Sequence, residues 1–576
     1  MCRVLLLSLL ALLLPGDHSS YSSAFVAPSG ACFSSKVFIK KSPLFSTASA
    51  DTSNELKLNS LLASSEKKVS SRQNDKQSSS LRAPSANQEQ LEEKYRNFPR
   101  TWVPLGSTLE LDPKKPNRLE FLENSYVAFR SDKASGQQWV VMDNTCPHRL
   151  APLSEGRVKP ETGMLQCSYH GWTFESDGSC QRIPQAVASV EQSALKNPRS
   201  CVASYSTFVD PETGMLWMWP WKEDQLQFAG DVWRHPEGIM GKDPRKIQSV
   251  DKNQTVAEGL VTYSREVPYG WDTLVENLID PSHIPFAHHG IQGNRNDAIP
   301  INMTRANDRG AAGFSFEWED RTMGMKRRGV GEFRAPYLVS YDAMFDTKDE
   351  NSSPRPFQLS VLCIPTKPGW SRVITYTSAP PKAKAEEGDG IETVDDKAIS
   401  QQKRKNKKTS IMRTILKMLP PWVTHLFSNK FFDSDLAFLH YQEQRKQNNK
   451  DRADYDYFMP AECDRSIVAL YEWMQKHASS YTKNQSSKLP PALYDRSQLF
   501  DRWGQHTAQC KVCLDALAGI KKWRKASQVA LALSILLGFR FWLPRFTAVA
   551  CLGVLKTLNQ LEGAFKHGEF DHSQNH

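Results

Sequence analysis

Two short pairs of metal-binding side chains constrain this sequence more than any other feature. Cys146 and His148 form a Cys-x-His pair, Cys167 and His170 form a Cys-x-x-His pair, and 18 residues separate the two pairs. Thiolate and neutral imidazole are ligands of zinc and iron, so the four side chains predict one metal centre. The flanking residues are rich in glycine and proline, which favours strand hairpins with tight turns.

Two kinds of centre combine two thiolates with two imidazoles. One is a Cys2His2 zinc site, but zinc fingers rarely place their ligands in turn-rich strand hairpins. The stretches CPHRLAPLSEGRV and LQCSYHGW instead resemble the Rieske [2Fe–2S] motif. By that resemblance Cys146 and Cys167 bind one iron, and His148 and His170 bind the other. The segment KPETG (159–163) is expected to be a surface insertion in the loop between the pairs.

A second cluster follows in the stretch ENLIDPSHIPFAHH. From Glu276 the spacing is Glu-x3-Asp-x2-His-x4-His, which singles out Asp280, His283 and His288 and is similar to the mononuclear-iron motif of Rieske non-haem oxygenases. We expect Asp280 and His283 to share a helix face because they lie three apart. Pro285 is expected to bend the chain so that both imidazoles reach one iron. Two histidines and a carboxylate on one face of iron leave positions open for oxygen.

The carboxylate ligand has to come from elsewhere in the chain. Asp435 in FFDSDLAFLHYQEQ is the best candidate, because it leads a helical pattern about 150 residues past the histidines. Asp433 is the alternative, and an acid that stabilises a helix N-terminus without binding metal is a third interpretation. His289 and His440 are expected to contact the ligands or solvent rather than iron.

The amino-acid sequence around these ligands is similar to that of the pheophorbide a oxygenase group over residues 97–515. That group includes chlorophyllide a oxygenase, a protochlorophyllide-linked oxygenase and the Rieske subunit of the inner-envelope translocon. The resemblance implies an α+β chain. An all-β Rieske domain (97–220) is followed by an α+β, helix-grip-like catalytic domain with a mononuclear Fe(II) (233–485).

The resemblance also implies partners and a reaction. Reduced ferredoxin supplies electrons to the Rieske cluster, and O2 and a flat tetrapyrrole react at the mononuclear iron. In the family the counterpart of Asp280 links a Rieske histidine of one subunit to an iron-binding histidine of its neighbour in a homotrimer. Ring opening of pheophorbide a in chlorophyll breakdown is the leading reaction, with oxygenation of another tetrapyrrole or plastid pigment as the alternative. A redox-sensing Rieske component of the plastid envelope is the rival interpretation.

Residues 500–515 carry a CxxC motif, Cys510 and Cys513, which the group shares and chlorophyllide a oxygenase generally lacks. Lys511 lies between the two thiols and further lysines follow, so we expect lowered thiol pKa values and a redox switch that acts through thioredoxin. Two alternatives are a pair of buried, unpaired cysteines on a helix and a zinc half-site shared between subunits.

The amino terminus is expected to hold targeting signals. Residues 1–24 resemble a signal peptide with a short apolar run, and residues 25–50 are serine-rich and basic like a plastid transit peptide. The phenylalanine at their junction, Phe25, resembles the bipartite presequence of algae with secondary plastids. Residues 51–95 are predicted to be a disordered linker. An ordinary secreted protein would need disulfides, for which 11 scattered cysteines give no framework.

Two further segments complete the prediction. Residues 382–408 hold many charges and almost no apolar side chains, so we expect a disordered insertion. Residues 528–556 hold two short apolar runs and predict a membrane-associated helical hairpin in the thylakoid or inner envelope, with a buried soluble hairpin as the alternative. The net charge of +10 comes without basic stretches interleaved with aromatics, so no nucleic-acid partner is expected.

Overall fold

The structure is a computed structural model. It describes residues 86–132, 138–222, 227, 231–240, 261–304, 306–322, 324–346, 355–377, 419–448, 457–538 and 543–572. The predicted signal peptide, transit peptide and charged insertion, and the predicted linker up to residue 85, lie outside these ranges.

The described chain begins with helix α1 (Ala86–Lys94). The prediction of a disordered linker over 51–95 is therefore wrong for its last ten residues. Leu91 and Tyr95 lie four apart on one face of this segment and are buried in the core, and the Tyr95 hydroxyl donates to Glu123 Oε1 at 2.6 Å. Two apolar contacts at helical spacing thus order a stretch whose composition is otherwise polar.

Two antiparallel sheets form the N-terminal region, as the all-β prediction required. The six-stranded sheet has the order β1-β10-β9-β4-β3-β2 and the four-stranded sheet the order β5-β6-β7-β8. The strands are β1 (Val103–Ser107), β2 (Asn117–Phe121), β3 (Asn124–Ser131), β4 (Gln138–Asp143), β5 (Arg157–Val158), β6 (Leu165–Gln166), β7 (Thr173–Phe174), β8 (Cys180–Arg182), β9 (Ser204–Val209) and β10 (Met215–Trp219). The smaller sheet is made of the two hairpins that follow the first cysteine-histidine pair.

The second region is built on a larger antiparallel sheet with the order β11-β18-β17-β16-β15-β14-β12, and β13 also pairs with β14. Its strands are β11 (Val261–Val267), β12 (Asn302–Met303), β13 (Asn307–Asp308), β14 (Gly313–Thr322), β15 (Met325–Arg334), β16 (Leu338–Phe345), β17 (Arg355–Lys367) and β18 (Trp370–Thr377). The apolar stretches FQLSVLCIP (357–365) and SRVITYT (371–377) lie in β17 and β18, so the mixed α+β character is confirmed.

The helices after α1 pack on the sheets of both regions and extend the chain beyond them. They are α2 (Ala188–Leu195), α3 (Pro236–Ile239), α4 (Trp271–Ile279), α5 (Ile284–Ala287), α6 (Pro421–Asn448), α7 (Arg465–His477), α8 (Ser479–Lys488), α9 (Arg496–Leu499), α10 (Arg502–Gln505), α11 (Lys511–Gly538) and α12 (Leu543–Lys566). Helix α4 packs on β15 to β18, and α6 contacts α4, β11 and α11. The long helix α6 therefore connects the sheet to the C-terminal helices.

Direct hydrogen bonds join the N-terminal sheets to the second region. Arg372 Nη1 donates to the Leu105 carbonyl at 2.7 Å, and the Leu122 amide donates to the Pro365 carbonyl at 3.0 Å. One aromatic core also spans the boundary, where the ring of Phe98 meets the buried Trp271 edge-on at 5.6 Å between centroids. These contacts make the two regions one packed body.

Helices α11 and α12 pack against each other as the predicted C-terminal hairpin. Large apolar side chains near its tip are exposed: Val529, Leu533, Ile535, Leu536, Leu537, Phe546, Val549 and Leu552. The hairpin tip is therefore exposed in the single chain. Within the described ranges, no helix combines the length and the apolar composition that crossing a bilayer requires.

Candidate metal centres

The first cysteine-histidine cluster is held by two loops with the same backbone pattern. The amide of Leu150 donates to the carbonyl of Cys146, and the amide of Gly171 donates to that of Cys167, both at 2.9 Å. Each turn needs a residue with positive φ, +61° at Leu150 and +77° at Gly171. The matched turns present two thiols and two imidazoles from neighbouring loop tips, and the predicted insertion 159–163 forms the turn between β5 and β6.

Burial separates the ligands of this cluster by type. Cys146 and Cys167 are buried, whereas His148 is exposed and His170 half-buried. The two imidazole rings lie 4.5 Å apart between centroids, and the ring of His148 stacks on Trp172 at 4.9 Å. Two inner thiolates and two outer imidazoles are the donor set that suits a Rieske [2Fe–2S] cluster, whose histidine-bound iron faces the surface.

The second cluster brings together three side chains from distant parts of the chain. His283 and His288 flank the four-residue helix α5, and their ring centroids lie 5.1 Å apart. Asp435 comes from α6, with its Oδ2 3.2 Å from His288 Nε2 and 4.0 Å from His283 Nε2. Ligand atoms of all three residues lie within 4.8 Å of one another, so one metal ion could bind all of them.

The local backbone differs from the prediction at two points. Helix α4 ends at Ile279, and Asp280 follows with an extended backbone, so Asp280 and His283 do not share a helix face. They still meet, because the intervening turn brings Asp280 Oδ2 to 3.4 Å from His283 Nδ1. Pro285 lies in the first turn of a helix rather than bending the chain, since its fixed φ suits that position of α5.

Ser434 is a contributor that the sequence pattern did not reveal. Its hydroxyl donates to the carbonyl of Phe431 at 2.6 Å and lies 2.7 Å from His288 Nδ1. Because the hydroxyl proton is used on Phe431, Ser434 accepts a hydrogen bond from Nδ1–H, which leaves His288 Nε2 unprotonated toward Asp435. The ring of Phe431 stacks on His288 at 4.1 Å and limits its rotation. In the sequence, the sign of this role was the position of Ser434 between the two candidate carboxylates, Asp433 and Asp435.

The two candidate carboxylates both lie on α6 but have different surroundings. Asp435 lies within α6 rather than at its start, so it does not serve as a helix N-terminal acid. Asp433 is fully buried between two guanidinium groups, with Arg265 Nη1 at 2.7 Å from Oδ1 and Arg502 Nη2 at 2.5 Å from Oδ2. Asp433 therefore neutralises buried cations, and Asp435 is the carboxylate that faces the histidines.

Opposing effects set the charge of the second cluster. Burial alone would raise the pKa of Asp435, but the nearby His288 and His283 outweigh it and the pKa is lowered. Burial alone would lower the pKa of His283, but Asp280 and Asp435 raise it to about 9. Iron binding must therefore displace a proton from His283, after which two imidazoles and an anionic carboxylate form a donor set that fits a divalent iron with open positions.

Two histidines that the sequence placed near the ligands, His440 and His289, have structural contacts. His440 is buried, with Nδ1 2.6 Å from the Pro268 carbonyl and Nε2 accepting from the Leu493 amide at 2.8 Å, so it braces α6 and does not contact solvent. His289 Nδ1 accepts from the Arg295 amide at 3.2 Å. Neither belongs to the group of three side chains described above.

The CxxC cysteines lie at the start of α11. Their side chains are 2% and 0% exposed for Cys510 and Cys513, and no disulfide joins them. The expectation that lysines lower their pKa is wrong for Cys510, because burial raises its pKa well above the ordinary value. Lys511 instead pairs with Asp515 on the outer face of α11. The switch through thioredoxin stays a prediction, without its original electrostatic premise.

Comparison with known proteins agrees with this geometry. Residues 101–205 match the model of the Rieske [2Fe–2S] domain, and residues 333–453 match that of pheophorbide a oxygenase. The chain is 32% identical over 435 residues to the chloroplastic pheophorbide a oxygenase of Arabidopsis thaliana, covering 72% of each protein. It is 30% identical over 452 residues to the chloroplastic flavonoid 8-hydroxylase 2 of Ocimum basilicum, covering 74% of each.

A solved structure is similar as well: dicamba monooxygenase with bound dicamba has a TM-score of 0.43 and 16% identity, covering 67% of this chain and 98% of that one. The similar sequences are chloroplast proteins, which supports the predicted plastid location. The family accounts for both expected cofactors, a Rieske [2Fe–2S] cluster and a mononuclear non-haem iron. The chain belongs to the pheophorbide a oxygenase family of Rieske non-haem iron oxygenases.

Proposed function

We propose that this protein uses electrons from reduced ferredoxin, together with O2, to oxygenate a chlorophyll-derived tetrapyrrole, with ring opening of pheophorbide a as the leading reaction. The observation that carries the proposal is the meeting of His283, His288 and Asp435 in a chain of this family. A pure electron carrier has no use for this second site, which weighs against the rival role of a redox sensor.

The proposal gives each ligand set a role. Cys146, Cys167, His148 and His170 hold the [2Fe–2S] cluster, and His283, His288 and Asp435 hold the iron. When bound, the cluster supplies single electrons and the iron activates oxygen. Asp280 positions His283: its Oδ1 accepts from the Ser282 amide and hydroxyl at 2.7 and 2.5 Å, so its Oδ2 stays directed at the imidazole. Ser434 positions His288 in the same way.

Exposed aromatic side chains near the iron ligands suit a flat substrate. Phe286 lies on α5 between the two histidines, and Phe438 follows Asp435 by three residues on α6; both are exposed. Aromatic rings stack favourably on planar conjugated ligands. These two phenylalanines therefore support a planar apolar substrate such as a tetrapyrrole.

The test is a turnover assay with the purified protein, reduced ferredoxin and O2. Pheophorbide a is compared with chlorophyllide a, protochlorophyllide and a flavone, and His283→Ala serves as the control without oxygenase activity. The proposal requires an oxygenated product from pheophorbide a in the wild type only. Product from the flavone alone would mean that the substrate is a flavonoid and not a tetrapyrrole. Electron uptake with no product from any compound would favour the carrier role.

A plastid pigment other than a tetrapyrrole is the second candidate substrate. The observation that favours it is the 30% identity to a flavonoid 8-hydroxylase, which is close to the 32% identity to a pheophorbide a oxygenase. Both compounds are flat and aromatic, so Phe286 and Phe438 do not discriminate between them. The flavone in the assay panel does.

We also propose a homotrimer in which Asp280 lies between the iron site of one subunit and the Rieske histidines of the next. Support comes from the exposed apolar side chains beside those histidines, Leu150 and Tyr169, and from the exposure of His148 itself. Light scattering gives the mass, and Asp280→Asn is expected to bind both metals but to slow electron transfer between them. Loss of iron in this variant would instead make Asp280 a ligand.

The C-terminal hairpin is proposed to dock on a plastid membrane, in the thylakoid or inner envelope. Its tip exposes apolar side chains on both helices, while the base carries exposed lysines and the exposed Trp523. An apolar tip with a cationic and aromatic collar is suited to insertion into one leaflet of an anionic bilayer. The arrangement would place the catalytic region close to a poorly soluble pigment.

A further inference from the structure

The CxxC motif is part of a four-residue cluster assembled from two distant segments. His425 lies in the first turns of α6, and His506 precedes Cys510 by four residues. The donor atoms of these side chains and of Cys513 all lie within 4.8 Å of one another. The cluster is separate from both iron centres, because it shares no residue with either.

The distances within the cluster match those of a tetrahedral metal site. His506 Nε2 lies 3.2 Å from Cys513 Sγ, and His425 Nδ1 lies 3.3 Å from Cys513 Sγ and 3.5 Å from Cys510 Sγ. Bonds of about 2.0–2.3 Å to a central zinc place tetrahedral donor atoms about 3.3–3.8 Å apart. The side chains thus converge on one point without needing to move far.

Strand β11 orients both imidazoles toward that point. His506 Nδ1 lies 2.5 Å from the carbonyl of Ser264, so Nδ1 carries the proton and Nε2 presents its lone pair to the cysteines. His425 has a hydrogen bond to the backbone of Thr262 in the same strand. A metal-binding histidine usually donates its other ring N–H to such an acceptor, which fixes the tautomer and the ring.

Burial distinguishes this cluster from a catalytic centre or a reactive dithiol. All four side chains are at most 2% exposed, and the apolar side chains of Leu517, Ile520 and Phe565 surround the cysteines. Two thiolates in such surroundings are costly unless a cation neutralises them. Zinc with two thiolates and two neutral imidazoles has no net charge and no open position, which is the pattern of a structural site.

We propose that His425, His506, Cys510 and Cys513 bind one Zn²⁺ as a closed structural site within a single chain. The site ties the start of α6 to the start of α11, and α6 also carries Asp435 ten residues further on, about 15 Å along the helix axis. All four ligands come from one chain, so no half-site shared between subunits is needed. Both sulfur atoms are ligands while zinc is bound, so the predicted thioredoxin switch would first require release of the zinc.

The first test is metal analysis of the purified full-length protein with its iron centres intact. The expected result is about one zinc per chain besides iron, with X-ray absorption at the zinc edge giving two sulfur and two nitrogen neighbours at about 2.3 and 2.0 Å. Absence of stoichiometric zinc, or a Cys510–Cys513 disulfide in the isolated protein, would overturn the proposal. Neither readout needs turnover, so the result is independent of the proposed oxygenase reaction.

The second test uses variants. Cys513→Ser is expected to lower zinc occupancy at least tenfold while the Rieske EPR signal remains, and Cys513→His is expected to restore zinc because it supplies a fourth donor. Cys551→Ser, a half-buried cysteine on α12 outside the cluster, is the matched control with unchanged zinc. Unchanged zinc in Cys513→Ser would overturn the assignment.

A third measurement covers the case in which Cys513→Ser fails to fold. A zinc dye and a thiol reagent are added together to the wild-type protein, and release of each zinc should expose two further thiols. Thiol reaction that precedes zinc release, or zinc release without new thiols, would contradict ligation by Cys510 and Cys513.

Discussion

The hydroxyl of Ser434 lies 2.7 Å from Nδ1 of His288, and this contact decides which ring nitrogen of His288 faces Asp435. Ser434 donates its own proton to the Phe431 carbonyl, so only acceptor capacity is left for the imidazole. Ser434 thereby sets the orientation of an imidazole that we propose as an iron ligand.

Ser434→Ala is therefore expected to weaken iron binding about 10- to 100-fold, the usual effect of removing a hydrogen bond that orients a ligand. Iron occupancy at limiting Fe(II) measures this, and the Rieske EPR signal should not change. Ser466→Ala is the matched control, because Ser466 is also a buried helical serine whose hydroxyl donates to a backbone carbonyl, that of Ile279. Equal iron binding in both variants would show that Ser434 does not position His288 for iron.

Asp435 and Asp433 are expected to fail in different ways. Asp435→Ala should lose iron and activity with the fold retained, since the carboxylate faces the two histidines. Asp433→Ala should lower the free energy of unfolding by about 3–5 kcal/mol, because it leaves Arg265 and Arg502 buried without their counter-charge. Iron analysis and urea unfolding separate the two effects. Iron loss confined to Asp433→Ala would reverse the assignment.

His148→Cys tests the imidazole ligand of the Rieske cluster. Thiolate donates more charge than imidazole, so the reduction potential should fall by an amount on the order of hundreds of millivolts while a cluster is retained. An EPR-monitored redox titration records the potential. His283→Ala, which changes only the other centre, should titrate like the wild type, and an unchanged potential in His148→Cys would mean that His148 is not a ligand.

Glu443 predicts a pH-dependent stability away from the metal sites. Burial, followed by repulsion from Asp272, raises the pKa of Glu443 from 4.5 to about 8, although both of its oxygens accept from the Gly270 amide. Between these values the folded chain holds a proton that the unfolded chain has lost, so stability falls as the pH rises through this window. Glu443→Gln should flatten that fall in melting temperature. Parallel curves for the two proteins would contradict the prediction.

The exposed hairpin tip predicts binding to anionic vesicles. Burying a large apolar side chain contributes about 1.5–3 kcal/mol, so the double change Leu536→Glu and Val549→Glu should weaken vesicle binding by a factor of at least about 100 in co-sedimentation. Val468→Glu, which alters an exposed valine on α7, is the control with unchanged binding. Full vesicle binding by the double variant would exclude the tip as the docking surface.

Short spacings made the sequence informative about both iron centres. Cys146 and His148, or His283 and His288, lie so close along the chain that almost any local fold keeps their side chains near one another, and the residue types then limit the metal. The strands around the first pair were equally predictable, because alternating apolar residues bounded by turn residues favour hairpins. The prediction for Asp280 was wrong because it assumed that the helix continues to His283. Helix α4 ends before Asp280, so the two residues do not share a helix face.

Only the tertiary structure decided what long-range packing brings together. Asp433 and Asp435 both follow plausible spacings, and the fold alone directs one to two arginines and the other to the histidines. The CxxC motif suggested reactive thiols, yet the packing of α6 and α12 against α11 buries them beside His425, 85 residues away from Cys510 along the chain. Sequence spacing predicts which side chains are close in space only for residues a few positions apart. Over longer separations, the packing of helices and sheets selects the partners of each side chain and thereby its chemistry.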